Sequence, residues 1–171
     1  MTARTKAELL DLYPDNQTGA IGPEDLRDGV DTYLGCYGMI SGTAEAQAGV
    51  TTAAVKAEAF DDVGPEDNAT GDSADDSITL DIAGTYELRA QFTGTGPADT
   101  GWFYDLALDG VGLGLVQSAV TDGAGNSHHV SLGAIAVVTA GQKVTVLVNS
   151  SEAGGANITW ATAVLTARKV G

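Results

Sequence analysis

The chain has 171 residues, which suit one medium domain or a domain with an appendage, and its 43% hydrophobic content is enough for a buried core. Its 23 acidic and 8 basic residues give a net charge of -15, which repels nucleic-acid phosphates and predicts no nucleic-acid partner. The single cysteine, Cys36, excludes an internal disulfide framework and a multi-cysteine zinc site. No apolar run approaches the roughly 18 residues of a membrane span, and the first residues lack the apolar region of a secretion signal, so we expect no membrane insertion.

The N-terminal residues have the pattern of two short helices. Thr5 and Glu8 have the spacing of a capping box, which predicts a first helix that ends before Pro14. A second helix is predicted to begin at Pro23, because the missing N–H of proline costs nothing at a first helical position. Its apolar face is formed by Leu26, Val30, Tyr33 and Leu34. Helices this short are not stable alone in water, so we expect this segment to dock on a partner.

From Tyr37 onward the apolar residues recur with a period of two, which indicates β-strands. The clearest predicted strands cover residues 78–82, 86–92, 102–108, 130–138, 144–148 and 158–168. Asp109 and Gly110 predict a tight hairpin turn, and a shift in the alternation near Gly133 predicts a β-bulge. Seven to nine short strands without helices between them predict a mainly β fold, an antiparallel β-sandwich.

Two other stretches have distinctive side chains. The acidic residues from Asp61 to Asp76, accompanied by Gly and Pro and by no basic residue, predict a solvated loop. The strand that begins at Trp102 has aromatic side chains on both faces, because Trp102 and Tyr104 alternate with Phe103. An apolar outer face predicts that a partner covers it.

No arrangement of residues nominates a catalytic, cofactor or metal site, and we expect no enzyme. His128 and His129 are adjacent, so in a strand they point to opposite faces and do not readily bind one ion, although an oligomer axis could bring copies of one histidine together. The segment from Glu66 to Asp76 could bind calcium through its carboxylates, but it departs from the EF-hand spacing because Ser77 stands where that motif has its closing Glu. A solvated acidic loop is the simpler interpretation.

The stretch "LYPDNQTGAIGPEDLRDGVDTYLG" resembles a segment near the start of many tailed-bacteriophage virion proteins, including head-fibre and tail-fibre proteins. The matching residues are Pro14, Asp15, Asn16, Gly19, Ile21, Pro23, Asp25, Leu26, Arg27, Asp28, Val30 and Asp31. The resemblance implies that this segment attaches the protein to the particle. The predicted attachment residues are Pro14, Asp15, Asn16, Ile21, Pro23, Leu26, Arg27, Val30, Tyr33 and Leu34.

The remainder of the chain resembles the jelly-roll domain shared by tumour-necrosis-factor-like (TNF-like) proteins, the globular heads of the first complement component and many phage fibre tips. The stretches "ITLDIAGTYELRAQF", "FYDLALDGVG", "VVTAGQKVTVLV" and "ITWATAVLTARKVG" carry this resemblance. It implies a homotrimer in which Trp102, Phe103 and Tyr104 contribute to the interface between copies. The predicted organisation is therefore a helical attachment segment over residues 1–36 and a jelly-roll domain over residues 37–171.

Together the two resemblances imply a virion structural protein that is located on the capsid surface and assembles in the bacterial host cytoplasm. The absence of a coiled-coil or repeat shaft favours a capsid decoration or head-fibre protein, with the major capsid protein as its partner. The alternative from the same resemblance is a tail-fibre tip or base-plate adhesin, which would contact tail proteins and bind a host-surface glycan. A glycan-active enzyme or calcium-dependent lectin built on a sandwich is the alternative from a different class.

Overall fold

The alternating residues after Cys36 form two antiparallel sheets that pack face to face. The computed structural model describes residues 36–123 and 127–170. The predicted helical leader, with its attachment residues from Pro14 to Leu34, lies outside the described residues. No described helix is long and apolar enough to span a membrane.

The strands of the described residues are named here in chain order. They are β1 (Tyr37–Gly42), β2 (Glu45–Val50), β3 (Val55–Lys56), β4 (Asp62–Val63), β5 (Ala69–Asp72), β6 (Ser77–Leu80), β7 (Gly84–Thr95), β8 (Gly101–Leu108), β9 (Val111–Gly112), β10 (Gln117–Val120), β11 (Ser127–Val138), β12 (Gln142–Ser150) and β13 (Ala156–Lys169). Sheet A has the order β11-β7-β13-β1-β4, and β2 also pairs with β13. Sheet B has the order β10-β8-β12-β6-β5, with β3 paired to β12 and β9 paired to β8. The predicted mainly β, antiparallel sandwich is therefore confirmed.

Aromatic side chains from both sheets fill the middle of the sandwich. Phe92 of sheet A lies with its ring centroid 5.3 Å from that of Tyr104 in sheet B and 5.2 Å from that of Trp160. All three side chains are fully buried. Burial of such large side chains is the main contribution to the stability of a domain of this kind.

The hairpin turn predicted at Asp109 and Gly110 is confirmed. The two residues have φ angles of 48° and 76°, and the flanking residues Leu108 and Val111 pair across the turn. Two consecutive positive φ angles are typical of the tightest hairpin turns, in which Gly at the second position is favoured.

The prediction of a β-bulge near Gly133 is wrong. β11 pairs with β7 in one continuous register, with Leu132 opposite Ala90 and Ala134 opposite Leu88. The alternation looked shifted in the sequence because both faces of this half of β11 carry apolar side chains. A register shift occurs instead in β13, between Trp160 and Thr162.

The prediction of a solvated loop from Asp61 to Asp76 is also wrong in part. β4 lies at one edge of sheet A, and β5 pairs with β6 at one edge of sheet B. An edge strand has one side in water, so it tolerates the polar side chains that suggested a loop. Asp76 is not solvated either, because it is only 8% exposed and its Oδ1 atom accepts hydrogen bonds from the backbone N–H groups of Ala59 and Phe60.

Candidate interaction surface

One side of the sandwich is formed by two edge strands. β10 is at an edge of sheet B, β11 is at an edge of sheet A, and the two strands lie next to each other. β11 pairs with β7 along all twelve of its residues. Within the described residues, no strand pairs with its other edge. A long unpaired edge is a site where another polypeptide chain can bind.

This side also carries most of the large apolar side chains that are exposed. Ile135 and Val137, on the outer face of β11, are 65% and 79% exposed. We call the surface "the apolar side" and define it by Val111, Leu115, Val116, Val120, Ile135 and Val137. Six of the ten exposed large apolar side chains of the described residues thus lie on β9, β10, β11 or the connection between β9 and β10, and several such side chains on one side of a domain mark an interaction site.

The segments that carry the apolar side contain few charged residues in a highly charged protein. Between Asp109 and Lys143 the sequence contains one acidic residue, Asp122, and no Lys or Arg. The net charge of -15 is therefore located elsewhere on the chain. An interface core is typically depleted in charged residues, and this side has that composition.

Two of the three predicted interface residues lie in the core of the single chain. The side chains of Trp102 and Tyr104 are fully buried between the sheets, where Trp102 Nε1 donates a 2.7 Å hydrogen bond to Thr121 Oγ1. They leave no exposed area in the single chain for a second chain to contact, whereas the resemblance to trimeric jelly rolls implied that they contribute to the interface. Phe103 points to the outer face of sheet B and is half-buried. Its contact with a second copy stays a prediction.

The sequence interpretation missed Ile135 and Val137, although a signal for them was present. The run "AIAVV" from Ala134 to Val138 is apolar at every position. With an uninterrupted period of two, such a run must place apolar side chains on both faces of the strand. One of those faces, which carries Ile135 and Val137, is exposed in the single chain, and only contact with a partner would bury it.

A shallow groove runs along the outer face of sheet A between β7 and β11. Gly133 lies at its floor, and a Cβ atom added there would have no neighbour within 4 Å. An exposed ion pair borders the groove, in which Arg89 Nη2 is 2.6 Å from Glu87 Oε1. The groove thus places polar and charged groups next to the apolar side chain of Ile135. The rim of a protein interface has the same polar composition around its apolar core.

The acidic segment uses its carboxylates within the chain. Glu66 Oε2 accepts a hydrogen bond from Gly71 N at 2.7 Å, and Asp72 Oδ1 accepts bonds from the backbone of the following turn. Asp75 lies 2.6 Å from Lys143 Nζ and 2.7 Å from Lys56 Nζ, and these two ammonium groups lower the pKa of its carboxyl group. In the part of the chain that the structure describes, no three His, Cys, Asp or Glu side chains are grouped to hold a metal ion. The contacts that these carboxylates make are structural.

The two adjacent histidines point to opposite faces of β11, as their spacing predicted. His128 is buried, whereas His129 is exposed and its Nδ1 atom lies 3.1 Å from Thr93 Oγ1. They do not form a shared ligand set within one chain.

Comparison with known proteins supports the fold at low sequence identity. No protein-family model matches the chain, and no curated protein sequence does. The chain is similar to the structure of Eiger TNF from S. frugiperda, with 11% identity and a TM-score of 0.58 over 80% of this chain and 93% of that chain. It is also similar to the globular domain of the zebrafish complement 1qA protein, with 13% identity and a TM-score of 0.51 over 80% of this chain and 98% of that chain. The sandwich therefore has the predicted TNF-like jelly-roll fold, and identities this low show the fold alone.

Proposed function

We propose that this protein is a non-enzymatic structural protein of a tailed-bacteriophage virion, a capsid decoration or head-fibre protein. The leader docks on the major capsid protein, and the jelly-roll domain forms a homotrimer that projects from the particle. It stabilises the shell or aids adhesion to the host surface. The apolar side carries the oligomeric part of this proposal, because exposed apolar side chains make it a surface suited to contact with another chain.

Electrostatics favours a second copy of the chain on the apolar side. Two copies that each carry a net charge of -15 repel each other, so their contact surface needs to be free of acidic side chains. The segments of the apolar side meet this requirement except at Asp122, and Glu87, which pairs opposite Ile135 on β7, has its carboxylate bound by Arg89. The apolar side also has two different parts, the edge of sheet B at β10 and the edge of sheet A at β11. In a closed ring of three copies, each copy contacts one neighbour through one surface and the other neighbour through a different surface.

The two ends of the described chain lie at one end of the sandwich. Lys169 N donates a 2.7 Å hydrogen bond to the carbonyl oxygen of Cys36, and Tyr37 pairs with Arg168. The connections between β7 and β8 and between β12 and β13 lie at the opposite end, where Ser151 N donates to the carbonyl oxygen of Gly101 at 2.8 Å. A domain held through its N-terminus therefore has these connections free to face outward.

The assignment to a virion rests on the resemblance of the leader to attachment segments of phage proteins. Its apolar residues Leu26 and Val30 are proposed to contact the particle, together with the polar residues Asp15, Asn16 and Arg27. A separate attachment segment agrees with the pattern of short helices that need a partner to be stable.

Light scattering on the purified full chain tests the oligomeric state. Three copies of 17.3 kDa give a mass of about 52 kDa, and a monomer at micromolar concentration would contradict the trimer. The double variant Leu26→Asp, Val30→Asp is expected to keep the trimer and to lose incorporation into virions. Glu24→Gln, on the same predicted helix, is the matched control and should be incorporated normally.

Cryo-electron microscopy of purified virions tests the location. Density for a three-fold jelly roll on the head would support the proposal. Density at the tail tip alone would contradict the head location and favour the tail-fibre or base-plate adhesin. Absence from purified particles, with the protein present in infected cells, would reject the virion role.

A further inference from the structure

One ionisable imidazole lies among the apolar side chains of the core. His128 is 5% exposed and points inward from β11. Its Nε2 atom is 2.6 Å from the hydroxyl oxygen of Tyr104, and its ring stacks on that of Trp102 at a centroid distance of 5.9 Å and an angle of 11°. Its Nδ1 atom is buried without a hydrogen-bond partner among the described residues. An imidazole with two nitrogen atoms thus has one polar partner.

The surroundings hold the ring in place. The backbone of Gly94 on β7 lies so close that an added Cβ atom would be 3.1 Å from His128 Cε1. Trp102, on another side of the ring, is fixed by its hydrogen bond to Thr121. A proton added to the ring would therefore bring a positive charge and a second N–H group into a site that offers no acceptor for it. Stacking on the indole offsets part of this cost but supplies no acceptor.

No carboxylate faces His128 to compensate for a positive charge. From β8 it faces the hydroxyl of Tyr104, and burial raises the pKa of that group, so it stays neutral. The β7 residues opposite the start of β11, from Thr93 to Thr95, carry no ionisable side chain, and Asp122 after β10 is exposed. On β11 itself the charge of His129 would repel a proton on His128.

We propose that the contact between His128 and Tyr104 is acid-sensitive, and that protonation of His128 under mildly acidic conditions releases the start of β11 from the sandwich. The opening is local because β11 is an edge strand of the single chain and His128 is its second residue, at the end of β11 away from Ile135 and Val137. Freeing the ring requires only the separation of Ser127 to His129 from Thr93 to Thr95. Strand ends open at a lower free-energy cost than the whole domain.

The direction of the pH dependence follows from the burial of the ring. Burial, and to a smaller extent His129, lowers the pKa of His128 below its usual value. A group whose pKa is lower in the closed state stabilises that state above its usual pKa, and this stability is lost as the pH falls. At pH 5 an exposed imidazole with a pKa of about 6.5 has about 30 protonated molecules for each neutral one. Relative to neutral pH, the population of the open state therefore increases by up to about 30-fold.

Hydrogen exchange of the full chain at pH 7.5 and pH 5.0, corrected for the intrinsic exchange rates, tests the proposal. The backbone amides of 127–131 are expected to lose protection by up to about 30-fold at pH 5.0, whereas amides in the middle of β13 keep theirs. This pH range lies above the usual pKa of Asp and Glu, so most of the acidic segment contributes little. Burial raises the pKa of Asp76, but its carboxyl group is bound by the backbone of Ala59 and Phe60 and not by β11. Unchanged protection of 127–131 at pH 5.0 would overturn the proposal.

Two variants separate His128 from its neighbour. His128→Gln cannot titrate, so its protection in 127–131 should be the same at both pH values. His129→Gln, the exposed matched control, should keep most of the pH response, because burial contributes more than His129 to the lowered pKa of His128. If His128→Gln does not fold, an NMR titration of the two imidazoles in the unchanged chain decides: titration of His128 near its usual pKa, without a change in the signals of Tyr104 and Gly94, would also overturn the proposal.

Discussion

Trp102 and Phe103 are neighbours in β8, yet their side chains belong to different parts of the protein. The indole of Trp102 is fully buried between the sheets, whereas Phe103 lies on the outer face of sheet B. Trp102→Ala is expected to lower the free energy of unfolding by about 3–5 kcal/mol, because it leaves a large cavity and an unpaired Thr121 hydroxyl. Phe103→Ala should cost less than half of that. Urea denaturation of the two variants measures the difference, and equal losses would contradict the assignment of faces.

The strands could be predicted from sequence because each has one buried face. Tyr86, Leu88, Ala90 and Phe92 alternate with polar residues in β7, and all four are buried. The same pattern predicted β8, β12 and β13, although the ends differ by a few residues. A period of two is an unambiguous signal when one face is polar, and it locates the core without any knowledge of the pairing.

The roles of Asp76 and Ile135 could not be predicted in the same way. The hydrogen-bond donors to Asp76 are the N–H groups of Ala59 and Phe60, which are far from it in sequence and carry no side-chain signal. Ile135 has apolar neighbours on both sides in the sequence, so its pattern does not show which face is outside. Composition suggested a solvated acid in the first case, and the alternation suggested a bulge at the nearby Gly133 in the second. Only the pairing of distant strands corrects the two predictions.

A positive charge on the apolar side should dissociate the proposed trimer. Because Ile135 and Val137 are exposed, Ile135→Lys and Val137→Lys should leave the single chain folded and shift its mass in light scattering from that of the trimer to 17.3 kDa. Val63→Lys is the matched control, since Val63 is exposed on β4 at the opposite edge of sheet A. If both β11 variants form trimers that are as stable to dilution as the trimer of the unchanged chain, the interface lies elsewhere.

The buried carboxyl group of Asp76 should matter as an acceptor rather than as a charge. Asp76→Ala is expected to cost about 2–4 kcal/mol, because it leaves the N–H groups of Ala59 and Phe60 without an acceptor. Burial raises the pKa of Asp76, which means that the folded domain is more stable with this carboxyl group neutral than with it charged. The contribution of Asp76 to the free energy of unfolding therefore decreases as the pH rises through the carboxyl range. Asp76→Asn keeps the acceptor oxygen without the charge. Its urea midpoint at pH 7 should equal or exceed that of the unchanged chain, and a loss as large as that of Asp76→Ala would contradict this account.

Asp75 should have the opposite pH dependence. The ammonium groups of Lys143 and Lys56 lower its pKa, so the stability it provides is present at pH 7 and is lost as the pH falls below the usual range of a carboxyl group. The gain is small because the ion pairs are exposed to solvent. The difference in urea midpoint between the unchanged chain and Asp75→Asn should therefore shrink from pH 6 to pH 3 and also with added salt. A difference that is constant over this range would show that charge is not its cause.

Gly42 should be among the least replaceable residues of the domain. A Cβ atom at this position would overlap the carbonyl oxygen of Ala59 and crowd the backbone of Phe60, which are not flexible side-chain ends that can move away. Gly42→Ala is therefore expected to lower the free energy of unfolding by about 2–3 kcal/mol. Gly154→Ala is the matched control, because a Cβ atom there has no neighbour within 4 Å and the residue does not adopt a positive φ angle. Thermal denaturation monitored by circular dichroism compares the two variants. Equal midpoints would mean that the backbone around Ala59 can move to accept a methyl group, and would contradict the close packing of β1 against the segment that leads into β4.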